Sequence, residues 1–312
     1  MNILITGGAG FLGSHLVDRL LAEDNNVTVI VGHSTNITVI DDFSHGKYVN
    51  LHNDPRLKVY NISILEDISY LFEGIDTVFH LAALTRPQWS IDHPEEVTKV
   101  NVGGTLKVLE HARDNKVKRV VFVSSSDIYG DQEIYPTPED VLPNPMNMYA
   151  LSKWVGELYC ELFNKLYGLE YNIIRPFNAY GTRMPLTGIW TSAIATFIDA
   201  MINKKPFKTF GNGKQTRDFI YIDDIIDLLM ILAKSKVKNE VFNCGSGTQN
   251  SINEVREIIE RLTNTRVKFE RLPAQFEKKT TLADMSKAEK LLNWKPKISL
   301  EEGLKRTIEG YI

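Results

Sequence analysis

Tyr149 and Lys153 stand four residues apart in Tyr149-Ala150-Leu151-Ser152-Lys153. On a helix that spacing stacks the two side chains on one face, one turn apart. An ammonium beside a phenol favours the phenolate and lowers its pKa from about 10. A phenol so tuned can exchange a proton with an alcohol near neutral pH. Ser124-Ser125-Ser126 lies upstream, at the end of an apolar run, where a hydroxyl can hold the same substrate oxygen. A Tyr-x-x-x-Lys pair alone means little, since helices contain many. It gains weight from a third feature, Gly7-Gly8-Ala9-Gly10-Phe11-Leu12-Gly13. These residues satisfy Gly-x-Gly-x-x-Gly from Gly8 and Gly-x-x-Gly-x-x-Gly from Gly7. The first glycine permits a tight turn, the middle one lets backbone approach a pyrophosphate, and the last lets helix and strand pack closely. The N–H groups and positive dipole end of the next helix then face the phosphates. A glycine turn of purely structural purpose is the competing reading.

The elements that must hold these residues alternate. Residues 2–5 form a short apolar run that reads as a buried parallel strand. A helical pattern follows over 11–22, with Leu12, Leu16, Leu20 and Leu21 on one face. Strands are expected at 77–81, 119–123 and 171–175, and helices at 95–115 and 149–167. Strand-helix alternation predicts an α/β fold with a mostly parallel sheet, and right-handed crossovers make it a doubly wound Rossmann architecture. From about Phe177 the pattern loosens, with prolines at Pro176, Pro185 and Pro206 and glycines at Gly211 and Gly213. We expect an NAD-type dinucleotide domain over 1–176 and a smaller C-terminal α/β substrate lobe over 177–312. Residues 219–245 read as a helix and strand that rejoin the first sheet.

A dinucleotide site carries an acid at the end of its second strand, about 20 residues beyond the glycines. Val31 stands near that place and cannot bind a ribose. However, Val27-Thr28-Val29-Ile30 is echoed ten positions later by Ile37-Thr38-Val39-Ile40, which runs into Asp41-Asp42. Removing one copy would bring Asp41 to the expected spacing. The sequence therefore predicts a local insertion that leaves Asp41 as the ribose acid, which favours NAD over NADP. The rival is that the first copy forms the strand and Asp41 is a surface acid.

Composition narrows the field. The chain has 312 residues, 43% of them hydrophobic, enough for a large core. A net charge of -3 gives no basic excess for nucleic acid or an anionic membrane. No apolar run approaches the roughly 18 residues of a membrane span, and no leader pattern opens the chain. Two cysteines, Cys160 and Cys244, are too few for a disulfide framework, so a reducing cytoplasm is expected. The seven histidines are scattered, and no His/Cys/Asp/Glu cluster has metal-ligand spacing, so no metal is expected. His80 reads as a satisfied core or near-cofactor residue. Trp89 and Trp190 are as consistent with packing as with a sugar pocket.

The chain resembles the extended short-chain dehydrogenase/reductases, and within them the NAD-dependent NDP-sugar epimerases and dehydratases. The resemblance spans nearly the whole chain. It rests on the glycine turn, Asp41-Asp42-Phe43-Ser44-His45-Gly46, His80-Leu81-Ala82-Ala83 and Asn101-Val102-Gly103-Gly104-Thr105. It continues through Ser124 to Gly130, Tyr149 to Lys153, Arg175-Pro176-Phe177-Asn178-Ala179-Tyr180-Gly181, Arg217-Asp218-Phe219 and Leu282-Ala283-Asp284. The resemblance implies Ser125, Tyr149 and Lys153 as catalytic residues. It implies NAD lined by Gly7, Gly10, Phe11, Leu12, Gly13, Asp41, Asp42, Asn61, Ile62, Leu81, Ala82, Ala83, Asn101 and Phe177, with Tyr149 and Lys153. Asn178 and Arg217 would meet a substrate diphosphate, and Thr209, Phe210 and Asp284 the nucleoside. Family members often carry Gly-Asp where Tyr60-Asn61 stands here.

The shared first step is oxidation at C4 of a nucleotide-linked sugar. The family's dTDP-glucose dehydratases place an Asp-Glu pair after the catalytic Thr, and the decarboxylases of UDP-glucuronate place Ser-Glu. Here Ser126-Asp127 stands there. That argues against the standard dehydratase and favours a 4-epimerase, and the resemblance, in which UDP is the commonest nucleotide, implies UDP-glucose or UDP-N-acetylglucosamine as the substrate. A 4,6-dehydratase or a decarboxylase stays open, with Asp127 as its acid or else as a loop-capping residue. A non-catalytic NAD sensor is the reading from another class, and the Ser, Tyr and Lys set argues against it. The resemblance also implies a homodimer through the helices at 95–115 and 149–167.

Overall fold

The computed structural model describes residues 1–25, 36–187, 191–274 and 278–312. The first echo copy, Val31 and Trp190 lie outside the described residues. In chain order the elements are β1 (Asn2–Thr6), α1 (Phe11–Asn25), β2 (Asn36–Asp41), β3 (Leu57–Asn61), β4 (Thr77–His80), α2 (Trp89–Asp92) and α3 (Pro94–Val97). Then come α4 (Gly104–Asp114), β5 (Arg119–Val123), α5 (Met148–Tyr167), β6 (Glu170–Pro176), β7 (Asn178–Tyr180), α6 (Ala193–Ile202) and β8 (Phe207–Phe210). The chain ends with β9 (Thr216–Arg217), β10 (Phe219–Tyr221), α7 (Ile222–Lys234), β11 (Glu240–Cys244), β12 (Asn250–Ser251), α8 (Ile252–Thr263), β13 (Phe269–Leu272), α9 (Ser286–Leu292) and α10 (Leu300–Glu309).

The chain divides into two units. The first comprises Met1–Ile128, Asn147–Arg175 and Ile226–Phe242, and the second Tyr129–Met146, Pro176–Ile225 and Asn243–Ile312. The first unit is built on a seven-stranded sheet in the order β11-β6-β5-β4-β1-β2-β3, and every pair from β6 to β3 is parallel. From β3 to β6 the order 3-2-1-4-5-6 is the doubly wound Rossmann order expected from the alternation. The strands are buried on both faces, so they read as continuous apolar runs: Ile3, Leu4 and Ile5 are fully buried, as are Val120 and Val121. The second echo copy forms β2, paired residue for residue with β1 from Asn2↔Asn36 to Thr6↔Ile40.

The expected single helix at 95–115 is instead α3 and α4 joined by a π-helical turn at Thr98–Gly103. Such turns gather at functional sites, and this one carries Asn101. α5 is started by the Asn147 side chain, which accepts from the Ala150 N–H at 2.8 Å. It is stopped by Gly168 in the left-handed region at φ 73. On α5 the Cβ that Gly156 lacks would lie 2.5 Å from the Phe122 ring, so the helix lies hard against β5.

Among its described residues the second unit holds three two-stranded ribbons: β7 with β10 and β8 with β13, both parallel, and β9 with β12, antiparallel. Segment Thr137 is clamped to Leu282–Asp284: its N–H donates to the Leu282 carbonyl at 2.8 Å, and the Asp284 N–H donates to its carbonyl at 3.0 Å.

Candidate active site

In the first unit the sheet order reverses between β1 and β4, and there the crevice beyond the strand ends receives ligands in such folds. The glycine turn stands at that point. Gly7 has φ +71, and a Cβ on it would lie 2.8 Å from the Ala82 nitrogen. A Cβ on Gly13 would lie 2.2 Å from the Gly7 carbonyl oxygen. The turn closes through Gly10 N–H to the Gly7 carbonyl, and α1 begins at Phe11 with Ser14 N–H on the Gly10 carbonyl at 3.1 Å. The loop after β4 lies against it, with Leu81 N–H on the Thr6 carbonyl and Ala82 N–H on Thr6 Oγ1, both at 3.2 Å. Backbone is thus packed where side chains would fill the space, which is the cradle a pyrophosphate needs.

Asp41 ends β2 and is buried. Its carboxylate accepts from Ala9 N–H at 2.9 Å, inside the glycine turn, and from Phe43 N–H at 2.8 Å. Burial raises its pKa, and those two donors offset only part of the rise. Asp42 caps the next turn, accepting from Ser44 N–H and Oγ. Asn61 stands opposite Asp41 at the end of β3, and Ile62 N–H donates to the Asp41 carbonyl at 3.2 Å. Asn101 makes a two-way link to Leu84, accepting from its N–H at 2.8 Å and donating to its carbonyl at 3.0 Å; it also donates to Ser152 Oγ at 2.9 Å. It therefore ties the loop after β4 to α5.

The reacting set is also in the first unit. Tyr149, Lys153 and Ser125 are all buried, and Asp127 is half-buried. Ser125 follows β5 by two residues and Tyr149 lies in the first turn of α5, held by its N–H on Ser90 Oγ at 3.1 Å. The Ser125 hydroxyl acts on the Tyr149 phenol, and its Oγ accepts from Asp127 N–H at 3.1 Å. Lys153 Nζ donates to the Val123 carbonyl at 2.8 Å and lies 5.0 Å from the centre of the Phe122 ring. His80 has hydroxyl partners on both ring nitrogens, Thr6 Oγ1 at 2.7 Å and Thr105 Oγ1 at 2.8 Å. Burial, and then the Lys153 charge, push it down to about 3, so it is a neutral core residue. The hydrogen-bonding roles of Ser90, Ser152, Thr6 and Thr105 escape a sequence reading, because a single hydroxyl carries no spacing signal of its partner.

One expectation needs correction. The spacing implies that Lys153 lowers the Tyr149 pKa. Instead burial pushes the phenol up, the Asp127 carboxylate pushes it further, and only the Ser125 hydroxyl acts to lower it. Burial also brings Lys153 down to about 7, against which the Glu157 carboxylate acts. Loss of hydration penalises each charged form, and it is the largest effect on both groups.

The remaining expected residues are in the second unit. Phe177 is buried, with its N–H on the Cys244 carbonyl at 2.9 Å. Asn178 donates its amide to the Asp218 carbonyl at 2.9 Å and to Thr281 Oγ1 at 3.2 Å. The Arg217 guanidinium donates to the Thr216 carbonyl at 2.9 Å. Asp218 gathers this region: it accepts from Ala283 N–H, Ser246 N–H and Oγ, and Gly247 N–H. Asp284 accepts from Ser286 N–H at 2.8 Å. Thr209 and Phe210 are on β8, and the Phe210 carbonyl accepts from the Gln215 amide at 3.4 Å. Asn178, Arg217 and Asp284 are thus joined through Asp218 and the segment at 281–283. Trp89, in the first unit, stacks on His93 at 4.1 Å.

A Rossmann sheet, a dinucleotide turn and a Ser-Tyr-Lys set define a class: nucleotide-dependent enzymes that move a hydride and a proton at an alcohol carbon. The family model "NAD dependent epimerase/dehydratase family" matches residues 3–245. The chain belongs to that family, and its cofactor is NAD. It is 34% identical over 319 residues to the UDP-glucose 4-epimerase of Mycolicibacterium smegmatis, covering 100% of this chain and 98% of the relative. A crystal structure of the Thermotoga maritima UDP-glucose 4-epimerase with UDP-glucose superposes with a TM-score of 0.90 at 34% identity, covering 100% of this chain and 98% of the other. The Bacillus cereus UDP-glucuronic acid 4-epimerase, in complex with UDP-glucuronic acid and NAD, gives 0.89 at 32% identity, covering 99% and 98%.

Proposed function

We propose that this protein is an NAD-dependent 4-epimerase of a UDP-linked hexose. The observation that carries the reading is the buried set of Ser125, just after β5, with Tyr149 and Lys153 one turn apart on α5, and a single carboxylate, Asp127, following the serine pair. Bound NAD would be held by the glycine turn, Asp41 and Lys153 and would supply reversible hydride acceptance at C4. Tyr149 takes the C4 hydroxyl proton and later gives it back. Ser125 donates to the same oxygen and keeps it in line with the phenol. Lys153 places positive charge beneath the site and holds the nicotinamide ribose. Asp41 accepts from the adenosine ribose hydroxyls. Asn178 and Arg217 bind the diphosphate, for which a planar guanidinium is suited. Thr209, Phe210 and Asp284 serve the nucleoside.

The test is a product assay by mass and NMR with UDP-glucose, UDP-N-acetylglucosamine, UDP-glucuronate and dTDP-glucose. The expected product has unchanged mass and an inverted C4 signal. Loss of water or carbon dioxide would overturn the reading and make Asp127 the acid of a dehydratase or decarboxylase. The same preparation is expected to be a homodimer. Leu158 and Leu162 on α5 are exposed and available for it, whereas Leu109 on α4 is core. Light scattering should read about twice 35.5 kDa; a monomer would remove that part. Both cysteines are free, which suits the cytoplasm. Among the described residues no helix is long and apolar enough to cross a membrane.

Asp41→Ser should weaken NAD binding about 10- to 100-fold, the weight of hydrogen bonds to a charged group. It should also narrow the preference over NADP, since a carboxylate repels a 2′-phosphate. Calorimetry on stripped protein reads both, and an unchanged Kd for NAD would take Asp41 out of the site.

A further inference from the structure

Beneath Lys153 lies a buried ion pair that the reaction as described does not use. Tyr149, Lys153 and Glu157 follow one another at intervals of four along α5, so their side chains form one stripe. All three are buried. Arg175, in β6, meets Glu157 with both arms of its fork: Nε on Oε1 at 3.0 Å and Nη2 on Oε2 at 2.7 Å. The pair is almost wholly shielded, with side-chain exposures of 6% and 3%. Removing two charges from water is costly, and a buried pair of this kind often stabilises a fold no better than apolar residues of the same size. Its position next to a catalytic lysine gives it a purpose that stability does not.

We propose that Glu157, held in place by Arg175, is a positioning residue that keeps the Lys153 ammonium charged beside Tyr149. The inference rests on the role given to Lys153 in the proposed reaction. The groups around Lys153 leave Glu157 as the ionic source of that effect. On α5 they are Tyr149, Glu157 and the Cys160 thiol. From β4 comes His80, neutral and bound to two hydroxyls. From β5 come only the Val123 carbonyl and the Phe122 ring. Asp127 acts on Tyr149. Arg175 fixes which way the Glu157 carboxylate points and so fixes its distance from the ammonium.

The sign follows directly. Removing a negative charge near an ammonium disfavours the charged form, so Lys153 gives up its proton at lower pH. The test uses the full-length protein labelled with [ε-13C]lysine, with the Lys153 signal assigned by its loss in Lys153→Met. This readout needs no substrate. Glu157→Gln should lower the Lys153 midpoint by about one pH unit or more, in the range for loss of an adjacent opposite charge. The alkaline limb of kcat should move down by the same amount. Glu157→Asp should keep most of the parent midpoint. Glu157→Gln takes the carboxylate away from a buried Arg175 charge, so a second variant, Glu157→Gln with Arg175→Met, removes both charges. A structural pair alone predicts that this double variant folds with the parent midpoint; the proposal predicts a lowered one. A folded double variant with an unchanged Lys153 midpoint overturns the inference. A parent that epimerises no sugar overturns the proposed function instead and leaves the Lys153 midpoints readable.

Discussion

Tyr149→Phe should lower turnover by at least about 10³-fold while leaving NAD bound at the parent's level. The substitution removes one oxygen. The ring stays buried in the first turn of α5, and the N–H that anchors that turn to Ser90 is backbone and survives. What disappears is the phenol proposed to take the C4 hydroxyl proton and return it. General acid–base groups contribute about 10²–10⁴-fold, and a factor of 10³ is about 4 kcal/mol of barrier. The upper part of that range applies here because Ser125 is no replacement: an aliphatic hydroxyl is a much weaker acid than a phenol, and its Oγ already accepts from the Asp127 N–H. KM should change little, since no diphosphate contact is touched. The check is steady-state turnover beside the NAD content of the purified variant. A variant within tenfold of the parent would remove Tyr149 from the proton's path and with it the proposed reaction.

The sequence makes parts of this site plain for reasons that can be stated. Gly7, Gly10 and Gly13 are legible because the turn they form is local, and its demands on each position are fixed within seven residues. Asp41 was legible through the echo ahead of it: β2 is the copy that ends in the acid, and its carboxylate reaches the Ala9 N–H of the glycine turn. The long strands and α5 were legible because burial on both faces, or on one stripe, leaves a strong period. The ribbons of the second unit are two to four residues long, too short for any period to register.

Glu157 shows where the limit falls. In sequence, Lys153 and Glu157 look like an ordinary exposed i,i+4 pair on a helix. Their burial depends on which face α5 turns to the sheet. That depends in turn on Gly156, which lets the helix back onto the Phe122 ring. Burial also reverses the simple expectation for Tyr149. Spacing says that a lysine is near, but the loss of hydration, invisible in spacing, is what raises the phenol and lowers the ammonium. The chemistry of the stripe is therefore set by three consecutive turns of α5 together with the end of β6, and a four-residue motif describes only the first of those turns.

Gly13→Val should cost the protein its NAD. A Cβ at Gly13 would lie 2.2 Å from the Gly7 carbonyl oxygen and 2.7 Å from Gly8 Cα. Both neighbours are backbone of the turn itself, so neither can swing aside as a flexible side chain would. To admit the valine, α1 must draw away from the turn that follows β1, and the pyrophosphate cradle opens with it. The NAD Kd should rise at least about 100-fold, the weight of two or three lost hydrogen bonds to phosphate. Gly103 supplies the control. It stands in the π-helical turn with nothing within 4 Å of where its Cβ would be. Gly103→Ala should therefore keep both NAD and Tm, with a small gain in stability from a stiffer unfolded chain. NAD content after denaturation, read beside the thermal midpoint, separates a lost site from a lost fold. A Gly13→Val protein that carries the parent's NAD would mean that the dinucleotide does not sit on this turn. In that event Asp41 would lose its proposed partner as well, since its carboxylate is tied to the same backbone.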